Sequence, residues 1–187
     1  MNHKTFFQTC ILKAKQLRRD NKGLSAVEFA ILLPFMLLLY LGSFEITQGI
    51  AVQRMVTLTA GTVASLVSQF ATISQSSQMP DILGASASVL TPYPVANAVV
   101  TVTCIGIDGT GKATVTWSKS LNGTAKTTGA TIAVPALLKT PNTSLIFGET
   151  SYAYTPLFDY LHTGTIAIYS SVYMVPRSAT GTVTLTP

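Results

Sequence analysis

From Leu24 to Phe44 the chain offers 21 mostly apolar positions, and no charge interrupts them between Phe29 and Phe44. About 20 such residues in a helix cross the hydrocarbon core of a bilayer, so residues 24–44 predict a membrane span. Pro34 falls inside it. Proline is tolerated in a membrane helix, with a kink, because neighbouring groups satisfy the carbonyl it frees. No small-residue cleavage pattern closes the run, which separates it from an ordinary signal peptide. Helical spacing then continues: Val52, Val56, Thr59, Val63, Leu66, Phe70 and Ile73 recur every three or four positions and share one helix face. With no breaker before Met79-Pro80, the pattern predicts one helix from Leu24 to about Gln78, roughly 80 Å long at 1.5 Å per residue. Gly42, Gly49 and Gly61 are its weak points, and a short second helix is expected over Asp81–Leu90, closed by the turn Thr91-Pro92-Tyr93-Pro94.

Beyond Val95 the period changes to two. ANAVVTVTCIGI alternates threonine with β-branched and other apolar residues, DGTGK supplies a turn, and ATVTWSKSL reads as the return strand of a hairpin. Leu121-Asn122-Gly123-Thr124 is a further turn, and TIAVP, SLIFGETSYAYTP, GTIAIYSSVYMVP and TGTVTLT are further strands. A long helix followed by four to six strands predicts an α+β fold: an N-terminal transmembrane helix continuing into a small head with an antiparallel β-sheet. The expected organisation is a basic leader over 1–23, the span over 24–44, a continuation of the helix beyond the membrane over 45–79 and a β-rich head over 80–187.

Charge sharpens this picture. Only 10% of the 187 residues are charged and 48% are hydrophobic, well below the usual charged share of roughly 25%, so part of the chain is expected to meet lipid or like subunits. The formal charge of +5 comes from residues 1–23, which hold six cations and one anion, and the remaining charges cancel. A basic flank before an apolar span fits a cytoplasmic N-terminus. It argues against a nucleic-acid surface on the head, which would need its own basic patch. Cys10 and Cys104 then fall on opposite sides of the membrane and cannot pair; Cys104 reads as a buried thiol.

Catalytic and cofactor chemistry find little purchase. Gly106 to Lys112, GIDGTGK, satisfies GxxxxGK after a strand. A phosphate loop needs Ser or Thr next and a helix to follow, whereas Ala113 and a strand come after, so a glycine-rich hairpin turn is expected. His162 and Asp159 lie in DYLHTG without a nucleophile that spacing could assign. Asn122 and Asn142 open sequons in short turns and read as turn residues. No catalytic residue, cofactor or metal site is expected.

The junction is more specific. The segment Gly23-Leu24-Ser25-Ala26-Val27-Glu28-Phe29-Ala30-Ile31-Leu32-Leu33-Pro34 follows the basic leader and places one carboxylate at the head of the apolar run. It resembles the TadE-like pilus assembly proteins of the tight adherence (Flp) system, which have a basic leader, a G-x-x-x-x-E-F junction and an AVEFALLLP-like span. Phe44-Glu45 resembles the glutamate near the far end of that span, and the Tyr152 to Leu157 stretch resembles the C-terminal pattern more loosely. The resemblance implies a pilin-like fold and a non-enzymatic minor pilin or pseudopilin. It implies cleavage between Gly23 and Leu24 by a prepilin peptidase, and recruitment or register set by Glu28, Phe29 and Pro34. Its implied partners are that peptidase, other pseudopilins, the major pilin, the inner-membrane assembly platform and membrane lipid, with the head in the periplasm and possible entry into the pilus.

A carboxylate inside hydrocarbon is costly and needs a partner. After cleavage Glu28 is the fifth residue and could neutralise the Leu24 amine of a neighbouring subunit. Without cleavage it sits in the headgroup zone near a helix N-terminus, where a carboxylate is mildly favourable. The chain would then be an uncleaved membrane-anchored periplasmic binding domain, for which Tyr152, Tyr154, Tyr169 and Tyr173 are the candidate surface, although alternating aromatics also suit a sheet core.

Overall fold

The computed structural model describes residues 22–157 and 164–187. Two compact units divide the chain between Ile46 and Thr47. The described part of the first is helical throughout and belongs to α1 (Lys22–Ser68). The second carries the remainder of α1 and then β1 (Thr72–Ser74), α2 (Gln78–Ser88), β2 (Ala98–Ile107), β3 (Ala113–Leu121), β4 (Thr143–Tyr154), β5 (Ile166–Met174) and β6 (Thr184–Thr186). The α+β class and the antiparallel sheet expected of the head are what forms, in the order β3-β2-β4-β5, with the part of α1 from Val52 to Val67 packed against it in a pilin-like arrangement.

Helix α1 ends ten residues before the expected Gln78. No local breaker stops it; tertiary partners do. The Ser68 carbonyl accepts the Arg177 N–H at 2.7 Å and the Ala71 carbonyl accepts the Thr184 N–H at 2.9 Å. Strand β1 then pairs in parallel with β6, Ile73 opposite Leu185. Because terminal helical carbonyls lack intrahelical donors, donors arriving from more than 100 positions away in sequence decide where this helix stops. Residues 69–79, expected to prolong the helix, instead form a turn, β1 and the start of α2. That second helix begins three residues before Asp81, since Pro80 lies in the first turn, where its missing N–H would have had no intrahelical acceptor.

One sheet face packs on α1 and α2. Val63, Ala64 and Val67 of α1 and Ile82, Leu83 and Ala87 of α2 cover Val100, Val102, Cys104, Trp117 and Ile146. At one end of the sheet, Val52 and Val56 meet Leu90, Ala98 and Tyr152. The buried helix face is therefore broader than the predicted stripe: Ala60, Ala64 and Val67 are buried, while Leu66 and Phe70 are only half-buried. Gly148 on β4 shows why small residues were chosen. A Cβ there would lie 2.5 Å from the Ala60 carbonyl oxygen, 3.0 Å from the Ala64 Cβ and 3.1 Å from the Val63 Cγ1, so helix and sheet approach through a missing side chain. The Trp117 indole N–H donates to the Val183 carbonyl at 2.8 Å, fixing the C-terminal segment under the same core.

The TIAVP stretch is not a strand. Only Thr131 bridges β3, at Thr114. Residues 129–132 nevertheless occupy that strand's outer edge, with the Val115 N–H on the Ala130 carbonyl (2.9 Å), the Gly129 N–H on the Val115 carbonyl (2.7 Å) and the Ile132 N–H on the Ala113 carbonyl (3.1 Å). Gly129, at φ +83°, and Pro135 prevent a regular ladder. The segment continues over the outer sheet face, where Val134 joins Ile105, Ile107, Ala113, Leu145 and Phe147 in a second cluster. Covering an open edge in this way removes a template for unwanted strand pairing.

Candidate functional site

The junction residues lie in the first turns of α1. Gly23 and Leu24 are helical, and Gly23 is exposed. Glu28 is exposed and makes no ion pair or hydrogen bond among the described residues. Phe29 is 58% exposed, and every side chain from Ser25 to Tyr40 is exposed. The helix runs without interruption through Pro34, whose missing N–H leaves the Ala30 carbonyl without its usual donor. Such an apolar helix, uncovered by any other described residue, is stable only where lipid or other helices replace water. It is one helix long and apolar enough to cross a membrane. The structure brings Gly23, Leu24, Glu28, Phe29 and Pro34 together as one helical segment, and among the described residues no side chain from another element joins them.

The other sequence candidates resolve into structural roles. GIDGTGK forms the β2–β3 turn, with Gly111 at φ +82°. Its donors point inward: the Asp108 carboxylate accepts the Thr110 N–H (2.8 Å), the Thr110 hydroxyl (2.6 Å) and the Lys112 N–H (2.9 Å). These bonds, the Thr110 hydroxyl foremost, hold the Asp108 carboxyl below its ordinary pKa. Amides committed to a carboxylate are not a cradle for phosphate. Asn122 and Asn142 adopt positive φ, and the Asn122 side-chain amide donates to the Val95 and Ala98 carbonyls. Cys10, Asp159 and His162 lie outside the described residues.

The four tyrosines do not share a surface. Tyr152 and Tyr154 pair with Ile168 and Ile166 on the helix side of the sheet, where Tyr152 is core. Tyr169 and Tyr173 lie on the opposite face. There the Tyr169 hydroxyl donates to Glu149 Oε1 at 2.8 Å, Lys126 Nζ lies 2.8 Å from Glu149 Oε2, and Phe147 stacks on Tyr173 with ring centroids 4.3 Å apart. Burial, and secondarily the neighbouring Glu149, raises the pKa of both tyrosines. Sequence reasoning missed this clasp, because Lys126 and Glu149 are joined only by the fold.

Cys104 is buried, as its sequence context suggested. Burial pushes its thiol up to about 11, from an ordinary value of 9.0. At pH 8 its thiolate fraction is therefore about 100-fold below that of an unperturbed thiol. Maleimide should label Cys104 correspondingly slowly in the folded chain and quickly after denaturation, as mass spectrometry of timed samples would show. Equal rates in the two states would contradict its burial.

Residues 23–65 match the family model described as TadE-like protein, so the N-terminal region is similar to that family. That family is associated with assembly of the tight adherence pilus, and its pilin-like members are structural proteins. The match ends three residues before α1 does and leaves the sheet outside it. No curated protein and no solved structure matches the chain.

Proposed function

We propose that this chain is a minor pilin or pseudopilin of a tight adherence (Flp) pilus, acting by subunit packing. A prepilin peptidase cuts after Gly23, Leu24 becomes the N-terminus, and the span over 24–44 holds the subunit in the bacterial inner membrane with its head in the periplasm. Other pseudopilins, the major pilin and the assembly platform then replace lipid around α1. The observation that carries this reading is the coincidence of the TadE-like match with a helix whose apolar side chains are exposed among the described residues. Glu28, the one charge in that apolar stretch, supplies register by pairing with the Leu24 amine of a neighbour, since an intramembrane carboxylate without a counter-charge is disfavoured.

The test is the N-terminal residue and intact mass of the membrane form, produced with and without its peptidase. Native chain is expected to begin at Leu24 only when the peptidase is present, and Gly23→Ala to keep Met1 under both conditions. An intact native chain under both conditions would make the helix a permanent anchor and overturn the proposal.

A further inference from the structure

The two edges of the four-stranded sheet differ. Residues 129–132 lie along the outer edge of β3 and take up its backbone groups. Strand β5 forms the other edge, and among the described residues no backbone group bonds to its far side. Its sequence, IAIYSSVYM, contains no charge, proline or glycine, and its pairing with β4 runs without a bulge. Sheet edges are ordinarily blunted by lysine, proline, a bulge or a cover; β5 carries none of these among the described residues. The direction of its free groups follows from bonds inside the sheet. The Ser118 and Ser120 hydroxyls of β3 and the Asn122 amide just past it donate to the Val102, Val100 and Ala98 carbonyls. Even-numbered residues of β2 therefore aim their backbone groups at β3. Because antiparallel pairing alternates, Thr101 and Thr103 bond Glu149 and Phe147 on β4, and Gly148 and Thr150 bond Val172 and Ser170 on β5. The N–H and C=O groups of Ala167, Tyr169, Ser171 and Tyr173 are left pointing away from the sheet.

We infer that β5 is a pairing edge for a second copy of this chain, the two strands running antiparallel about a two-fold axis at Ser170. The occupant follows from self-complementarity. In this register Tyr169 opposes Ser171 of the second copy and Ala167 opposes Tyr173, so every outward N–H and C=O of the four residues meets a counterpart, and each large ring meets a small side chain. On the other face Ile168 opposes Val172 and Ile166 opposes Met174. Residues 164–176 hold no charge, so the pairing brings no like charges together. A strand of this length extends about 30 Å at 3.4 Å per residue and, in a layer about 10 Å thick, covers about 300 Å² per copy. About 600 Å² in total falls short of the roughly 1,000 Å² of a lasting interface, which makes the pair reversible. The inference uses only residues of the second unit and is independent of cleavage after Gly23.

The experiment traps the pair by oxidation of the detergent-solubilised full chain. A Cys10→Ser background removes the leader thiol, and Cys104 is protected by burial. On the axis the two Ser170 Cα atoms form a non-hydrogen-bonded pair about 4.5 Å apart, within the reach of a disulfide, so Ser170→Cys should cross-link. The two copies of Ser171 lie diagonally, about 7–8 Å apart, beyond that reach, so Ser171→Cys is the matched control. Non-reducing electrophoresis is expected to show at least about ten-fold more dimer from Ser170→Cys, rising with protein concentration. Adding Ser171→Pro to Ser170→Cys should abolish that excess, since the Ser171 N–H faces outward and proline is accepted at such edge positions. The unfolding midpoint read by Trp117 fluorescence checks that this variant folds; should it not, Ser171→Lys, a charge on the same edge, takes its place. Equal dimer from the two cysteines means association through α1 alone and overturns the inference. So does the absence of dimer from Ser170→Cys, or dimer that the edge-blocking variant leaves unchanged. None of these outcomes bears on the N-terminal residue that tests the pilin reading, so the two proposals fail separately.

Discussion

Gly148→Ala destabilises the head by about 3 kcal/mol, the upper part of the range for overpacking a tightly fitted core. The added methyl meets the Ala60 carbonyl oxygen at 2.5 Å and the side chains of Ala64 and Val63 at 3.0 and 3.1 Å. Backbone cannot rotate out of the way as the tip of a flexible side chain can, so α1 must lift from the sheet. Lifting it loosens the contacts that bury Val63, Ala64 and Val67 against Val100, Val102 and Ile146. Gly61 is the matched control, because a Cβ there meets nothing within 4 Å. In a helix interior alanine is favoured over glycine by roughly 0.5–1 kcal/mol, so Gly61→Ala should stabilise. Denaturant unfolding of the detergent-solubilised chain, followed by the fluorescence of Trp117, reads both variants. If Gly148→Ala unfolds at the native midpoint, the close approach of helix and sheet is not a constraint on the fold.

Glu28→Ala leaves the processed chain in the membrane and reduces its association with other copies by at least about ten-fold, equivalent to roughly 1.4 kcal/mol. The sign follows from the two environments. In a lone subunit Glu28 has no counter-charge among the described residues, and an acidic side chain in a bilayer carries a cost that reaches roughly 3 kcal/mol at the centre and is smaller near the interface, where the fifth residue of the span lies. Removing it therefore does not harm the inserted monomer. In the proposed assembly the same carboxylate faces the Leu24 amine of its neighbour, and deleting one member of such a pair strands the other. Glu28→Gln, which keeps the shape but loses the charge, should behave like alanine. Two differently tagged copies, co-expressed and recovered through one tag, report association, while N-terminal sequencing of the same material confirms that cleavage is intact. Undiminished recovery of the second tag with either variant would remove Glu28 from the packing mechanism.

Much of the fold was readable along the chain because its signals are local. The apolar run, the helical stripe from Val52 and the hairpin turn at Asp108 each depend on side chains within a few residues of one another. The GxxxxGK resemblance could likewise be set aside from Ala113 and the following strand alone, and the structure adds the reason in bonds: Asp108 occupies the donors that a phosphate would need. The errors fall where distant segments meet. Leu66 and Phe70 scored as core by size and spacing, yet Ala60 and Ala64 take the buried positions because Gly148 lets the backbones approach. TIAVP has the composition of a strand, but it lies as an irregular cover along β3.

The sequence by itself determined the class of structure and the candidate junction: an apolar helix headed by Gly23 and Glu28, followed by antiparallel strands. Periodicity and the cost of placing charge in hydrocarbon operate on neighbours in sequence, so both survive in a one-dimensional record. Only the tertiary structure decided where α1 stops, that the C-terminal strand β6 ties it off in parallel with β1, and that the four tyrosines divide between two faces. Those outcomes rest on hydrogen-bond donors and missing side chains supplied from far along the chain, as Arg177 supplies Ser68 and Gly148 admits Ala60, and their energy exists only once the segments are brought together.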